Sequence, residues 1–152
     1  MIMIYIALRF DYKYSPGAIV ALVHDVLIII GIFVLTDKEF SLQIVGALLA
    51  VIGYSVNDTV VVYDRVREHE LISAGKGLKT QINTALNETL SRTLLTSLTT
   101  FIVACVMYLF GGGGIADFFF AICIGVLIGT YSSMFVAAPT ILFLDKFSGK
   151  NA

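Results

Sequence analysis

Four apolar runs, each long enough to cross a bilayer as one helix, leave this chain little choice of fold. They lie at Pro16–Leu35, Leu42–Tyr63, Thr93–Phe110 and Ile115–Ala138, and a spanning helix needs about 20 such residues. Hydrophobic residues make up 58% of the chain and its charges fall in short blocks. That is the composition of a polytopic membrane protein, and the expected fold class is all-α, a transmembrane helix bundle. Met1–Leu8 is apolar but too short to cross. It reads as the end of a helix whose beginning is missing, which would make the chain a C-terminal part of something longer. It has neither the basic leader nor the cleavage site of a signal peptide.

Lys and Arg orient the spans. Arg9 and Lys13 precede the first full span; Arg65, Arg67, Lys76, Lys79 and Arg92 lie between the second and third; Lys146 and Lys150 follow the fourth. The opposite loops hold only Lys38, and the Gly111–Gly114 loop holds no base. The positive-inside rule therefore places both ends and the middle loop in the cytoplasm. Ser15-Pro16 reads as an N-cap followed by a first-turn proline. Gly111–Gly114 reads as a tight outer turn; no strand precedes it and no lysine follows, so it is not a phosphate loop. Between Gly77 and Ser91, Leu78, Ile82, Ala85, Leu86 and Leu90 recur at helical spacing among polar residues. This predicts a separate amphipathic helix at the cytoplasmic interface, serving as a connector or as a docking element.

Several function classes drop out. A net charge of −1 offers no basic face for phosphates, so no nucleic-acid partner is expected. Cys105 and Cys123 sit in apolar runs and read as free, buried thiols. No metal-ligand spacing, nucleophile elbow, His-Glu-x-x-His pair or paired-carboxylate site stands out, so neither a cofactor nor an enzyme is expected.

What remains is a set of polar residues inside the spans. Asp58 lies near the end of the second, where a charged side chain costs about 2.5–3.5 kcal/mol at a helix centre. Counting about 1.5 Å per residue from the outer turns puts Arg92 at nearly the depth of Asp58. The same count puts His24, Asp25 and Thr96 in a layer just above. Burial disfavours a charged Asp58 and a nearby Arg92 favours it. Two roles fit: a carboxyl that exchanges a proton as helices shift, or a static Asp58–Arg92 pair that fixes packing. His24 and Asp25 are adjacent on a helix, so their side chains are expected to point apart; each supports the network or transfers protons. Gly46, Ala50, Gly53 and Asn57 form one small-residue stripe, and Gly125, Gly129 and Ser133 form another; both read as helix-packing surfaces. Pro139 is expected to kink or end the last helix.

Two stretches resemble a known family. Gly53-Tyr54-Ser55-Val56-Asn57-Asp58-Thr59 through Glu68 is similar to the fourth-helix signature of the SecF family of protein-export membrane proteins. Asn87-Glu88-Thr89-Leu90-Ser91-Arg92 through Thr100 resembles the entry to that family's fifth helix, and His24-Asp25 falls where its third helix carries the same pair. The related SecD signature differs from the Gly-Tyr-Ser-x-Asn-Asp-Thr found here. The resemblance implies half of a transporter core of the RND superfamily, multi-pass in a bacterial or archaeal plasma membrane. It implies SecD, the SecYEG translocon, YajC, the translocating polypeptide, protons and membrane lipid as partners. Proton-motive force would then drive late export, with Asp58 the proton-carrying group and Arg92, Asn57, His24, Asp25 and Thr96 along its pathway. The family's first helix and large outer domain have no counterpart in this sequence.

Overall fold

In the computed structural model, which describes residues 14–72 and 77–147, every apolar run is helical. Four helices have the length and composition to cross a membrane. Hydrocarbon offers no partner for a free N–H or C=O, and a helix satisfies both within itself. We number the elements α1 (Ser15–Leu35), α2 (Leu42–Ile72), α3 (Leu78–Phe110), α4 (Gly113–Ser132), a π turn (Ser133–Ala137) and α5 (Ala138–Phe147). The segments 1–13, 73–76 and 148–152 lie outside the described residues, and with them the expected truncated helix Met1–Leu8 and the bases Arg9, Lys13, Lys76 and Lys150.

Helix α1 opens on Ser15 with Pro16 in its first turn, and the flanking residue is Tyr14, without a side-chain cap. Burial sets this start: Tyr14 is 1% exposed, its hydroxyl donates to the Glu70 carboxylate, and its ring lies 5.6 Å from that of Tyr63. At the other end Asp37 adopts φ 52°, a left-handed conformation that aspartate tolerates better than most residues. Lys38 closes this turn onto α4 by pairing with Asp117 and lying 4.9 Å over the Phe120 ring. The glycine turn matches its reading, with Gly112 and Gly113 at φ 63° and 46°.

Three boundaries differ from the sequence reading. Helix α2 runs beyond Tyr63 to Ile72, because hydropathy marks the end of the apolar run and not the end of the backbone ladder. The expected interfacial helix over 77–91 is not a separate element; it is the first half of the 33-residue α3. No breaker interrupts it, and Ile82 and Ala85 pack with Val62, Tyr63 and Val66 of α2. Glu88 also binds Arg65 and His69 across the helix pair. Pro139 does not end the last span. The chain passes through it into α5, with the π turn placed just before it. A proline lacks the N–H for the carbonyl one turn back and its ring crowds that carbonyl, and a wider turn accommodates both.

The helix comprising α4 and the π turn is the hub, packed against α1, α2 and α3. Side chains form an apolar cluster at each end of the bundle. One gathers Tyr14, Ala18, Val62, Tyr63, Ala85 and Ile141; the other gathers Ile29, Phe33, Ile44, Val51 and Ala121. Asp25 on α1, Ser55 on α2 and Thr130, Ser132 and Ser133 on the last span are buried between the two clusters.

The two small-residue stripes part company. A Cβ on Gly125 would stand 2.2 Å from a Val51 methyl, and one on Gly129 would stand 3.2 Å from Ser55 Cβ. These two glycines set the α2–α4 spacing. Gly46, Ala50, Gly53 and Asn57 are instead exposed, and a Cβ on Gly53 meets nothing. Only the Gly46 end of that stripe comes near α4, at Phe118 among the described residues, since helical rotation turns the rest away from the face that holds Val51, Ser55 and Asp58. Gly125→Ala is therefore expected to destabilise the purified protein by about 1–3 kcal/mol, because buried, β-branched Val51 has no room to yield. Gly53→Ala should leave thermal unfolding in detergent nearly unchanged. Equal losses in the two variants would contradict this packing.

Candidate functional site

Two carboxylates are buried at the middle of the bundle. Asp58 of α2 is 7% exposed. Thr93 Oγ1 of α3 donates to its Oδ1 at 2.9 Å, and Ser133 Oγ of the π turn donates to its Oδ2 at 2.9 Å. Asp25 of α1 is 1% exposed. Its Oδ2 accepts Ser55 Oγ at 2.6 Å and Ser132 Oγ at 2.8 Å, while its Oδ1 lies 3.1 Å from His24 Nδ1. Each carboxylate is thus held by hydroxyls from two other elements. A buried acid without such donors would be far too costly to keep ionised.

A third polar chain runs beside them. Tyr54 donates from α2 to Ser97 Oγ of α3 at 3.0 Å, and Ser97 Oγ lies 2.6 Å from Thr130 Oγ1 of α4. Among the described residues, no buried side-chain nitrogen or oxygen lacks a partner.

Several expected site residues stand elsewhere. Arg92 is exposed and forms no ion pair within 4 Å among the described residues. It lines a polar cleft of about 320 Å³ with Val61, Asp64, Arg65, Glu68, Glu88 and Thr89. The static Asp58–Arg92 pair is absent because depth alone does not fix direction: one residue step turns a helix by about 100°. Thr93 takes the inward position and Arg92 the outward one. Thr96 is also exposed, its hydroxyl within 3.0 Å of both the Arg92 and the Thr93 carbonyl oxygens, so it is not part of the buried network. Asn57 is exposed on the open face of α2 and points away from that network.

His24 and Asp25 differ in the opposite sense. Adjacency predicted side chains pointing apart, yet they are within hydrogen-bond distance. The two side-chain ends turn toward one another and span the angle between their Cβ directions. His24, 29% exposed, bridges that contact to the surface of the bundle, with its ring 6.4 Å from that of Tyr131.

The residues not singled out as acid partners are Ser55, Thr93, Ser132 and Ser133. A signal for Thr93 was present. Ala85, Thr89, Thr93 and Ser97 are small or hydroxylated residues spaced by four, and all four are buried. Cys105 and Cys123 are free, with sulfurs 3.7 Å apart across α3 and α4.

The family described as "Protein export membrane protein SecD/SecF, C-terminal" matches residues 1–147. Protein translocase subunit SecF of Thermodesulfovibrio yellowstonii is 50% identical over 150 residues, covering 97% of this chain and 50% of that protein. The SecF subunit of Magnetococcus marinus is 52% identical over 147 residues, covering 97% of this chain and 47% of that one. The chain therefore spans about half the length of these curated relatives. The crystal structure of SecDF from Thermus thermophilus, described as a translocon-associated membrane protein, superposes with a TM-score of 0.92 at 38% identity. It is covered over 95% of this chain and 20% of its own. Four membrane-length helices, two buried acids on α1 and α2, and relatives of this kind lead to one assignment: the chain belongs to the SecD/SecF family of protein-export membrane proteins, on its SecF side.

Proposed function

We propose that this chain is the membrane core of a Sec export subunit which, together with SecD, couples proton-motive force to late polypeptide translocation through SecYEG. Asp58 carries the reading. It is buried in a membrane-length helix and, among the described residues, hydrogen-bonded only by hydroxyls, with no cation within ion-pair distance. A hydroxyl can donate to an ionised carboxylate or accept from a protonated one. The site can therefore hold both states of Asp58 without breaking a salt bridge. Arg92 acts at longer range, from the polar cleft between α2 and α3. His24 and Asp25 form the second station, and the chain itself performs no enzymatic chemistry.

The protein is placed as a multi-pass subunit of a bacterial or archaeal plasma membrane, with both ends of its full-span region cytoplasmic. Lipid, protons, the exported polypeptide, the SecYEG channel and YajC complete its surroundings. SecD is placed against the exposed stripe Gly46, Ala50, Gly53 and Asn57 of α2. Small residues let helices approach closely in lipid, and a polar Asn57 in an apolar span gains from a partner's hydrogen bond. Gly53→Trp in the full protein is expected to abolish co-purification with SecD while leaving this half folded. Unchanged co-purification would remove SecD from that face.

Asp58→Asn distinguishes this account from a scaffold that assembles the translocon without moving protons. Under coupling, gradient-driven export is lost while the complex still forms. Under scaffolding, both persist.

A further inference from the structure

A single dipeptide stands between the two buried acids. Ser132 donates to Asp25 Oδ2 and Ser133 donates to Asp58 Oδ2. Consecutive residues of one helix thus hold carboxylates from two others. They do so at the point where α4 gives way to the π turn.

Each serine has a second acceptor within reach. Ser132 Oγ lies 3.2 Å from the Gly129 carbonyl oxygen, and Ser133 Oγ lies 3.0 Å from that of Thr130. A hydroxyl has one hydrogen, so the carboxylate and the carbonyl compete for it. An ionised carboxylate is the stronger acceptor and takes it. Once Asp58 Oδ2 carries a proton, that O–H becomes the donor. Ser133 then accepts from the acid and turns its own hydrogen to the Thr130 carbonyl. The proton taken up ends on Oδ2, and only hydrogen bonds rearrange.

The far end of the π turn is fixed more firmly. Tyr63 donates to the Ala137 carbonyl at 3.0 Å in a buried contact. A Cβ on Gly17 would stand 2.4 Å from the Tyr63 hydroxyl and 3.0 Å from the same carbonyl oxygen. Glycine at this position of α1 lets the clamp close. The π turn is thus clamped at Ala137 and held at Ser133 by a hydrogen bond that depends on protonation.

We infer that Ser132 and Ser133 are positioning residues that join Asp25 and Asp58 into one unit, with the π turn as the element that transmits a change at either acid to the other. This rests on the proton-coupling reading of Asp58. Among the described residues, the other titratable and charged groups around the unit are His24 on α1, Tyr54 and Tyr63 on α2, Arg92 on α3 and Tyr131 on α4. None of them bridges the two acids directly.

The test is an infrared titration of the Asp58 carboxyl in the full protein assembled with SecD, the band being assigned by its loss in Asp58→Asn. Ser132→Ala touches Asp25 and not Asp58, yet it is expected to move the Asp58 midpoint by about half a pH unit or more. Ser132→Thr, which keeps the hydroxyl, should restore it. Should Ser132→Ala fail to assemble, Asp25→Asn carries the same expectation. A midpoint that moves in Ser133→Ala but is unaltered in Ser132→Ala and Asp25→Asn overturns the inference and leaves proton coupling intact. A carboxyl that does not titrate in the unaltered protein overturns both.

Discussion

Asp58→Asn in the full protein is expected to lower export to the rate seen when the proton gradient is collapsed, with the complex assembled as before. Asparagine matches aspartate in shape, and its carbonyl oxygen can still accept from Thr93 or Ser133. What it lacks is a removable proton. Its amide group also presents hydrogens where Asp58 offered an acceptor, so one of the two hydroxyls must reorient. Ser133 can do so, because the Thr130 carbonyl lies 3.0 Å from its oxygen. The bundle should therefore tolerate the change, and the loss should be confined to gradient-driven export. The checking measurement is export into inverted membrane vesicles with and without a gradient, beside co-purification of SecD.

The largest effect on stability is expected at the other acid. Asp25 accepts from Ser55 and Ser132 and lies 3.1 Å from His24 Nδ1 while 1% exposed, so three elements meet on one carboxylate. Asp25→Ala removes the acceptor, strands the Ser55 hydroxyl and opens a void. A cost of about 3–5 kcal/mol is expected, as for other broken buried charge networks. Asp25→Asn keeps a carbonyl acceptor and should cost less than half as much. Thermal unfolding of the purified protein checks both, with Asn57→Ala as a surface control expected within about 0.5 kcal/mol of the parent. An Asp25→Ala variant as stable as that control would mean that the network holds nothing together.

The parts of this fold legible in the sequence are those set by length and hydropathy. A run of about 20 apolar residues has one stable form in lipid, and all four runs took it. Helix ends were less legible. Asp64–Ile72 and Leu78–Ser91 are polar enough to leave the hydropathy window, yet they continue their helices because they pack on each other through Val66, Ile82, Ala85 and the Arg65–Glu88–His69 contacts. Counting residues gave depth and not direction. It put Asp58 and Arg92 at one level, but it did not show that Thr93 would take the inward face beside Asp58. The same omission left open which stripe packs within the bundle: the tight contact belongs to Gly125 and Gly129 against Val51 and Ser55. The serines that bind the acids carried no hydropathy signal at all. Their role follows from a π turn that no local propensity announces, with only Pro139 as a hint that the ladder must widen nearby.

Proton flux is the most direct test of the role proposed for Asp58. In sealed proteoliposomes holding the assembled complex and an internal pH-sensitive dye, a gradient imposed during export should give a proton current that tracks translocation. That current should vanish in Asp58→Asn at equal protein content. An equal current in both proteins, or export with no proton movement in the unaltered one, would contradict the account.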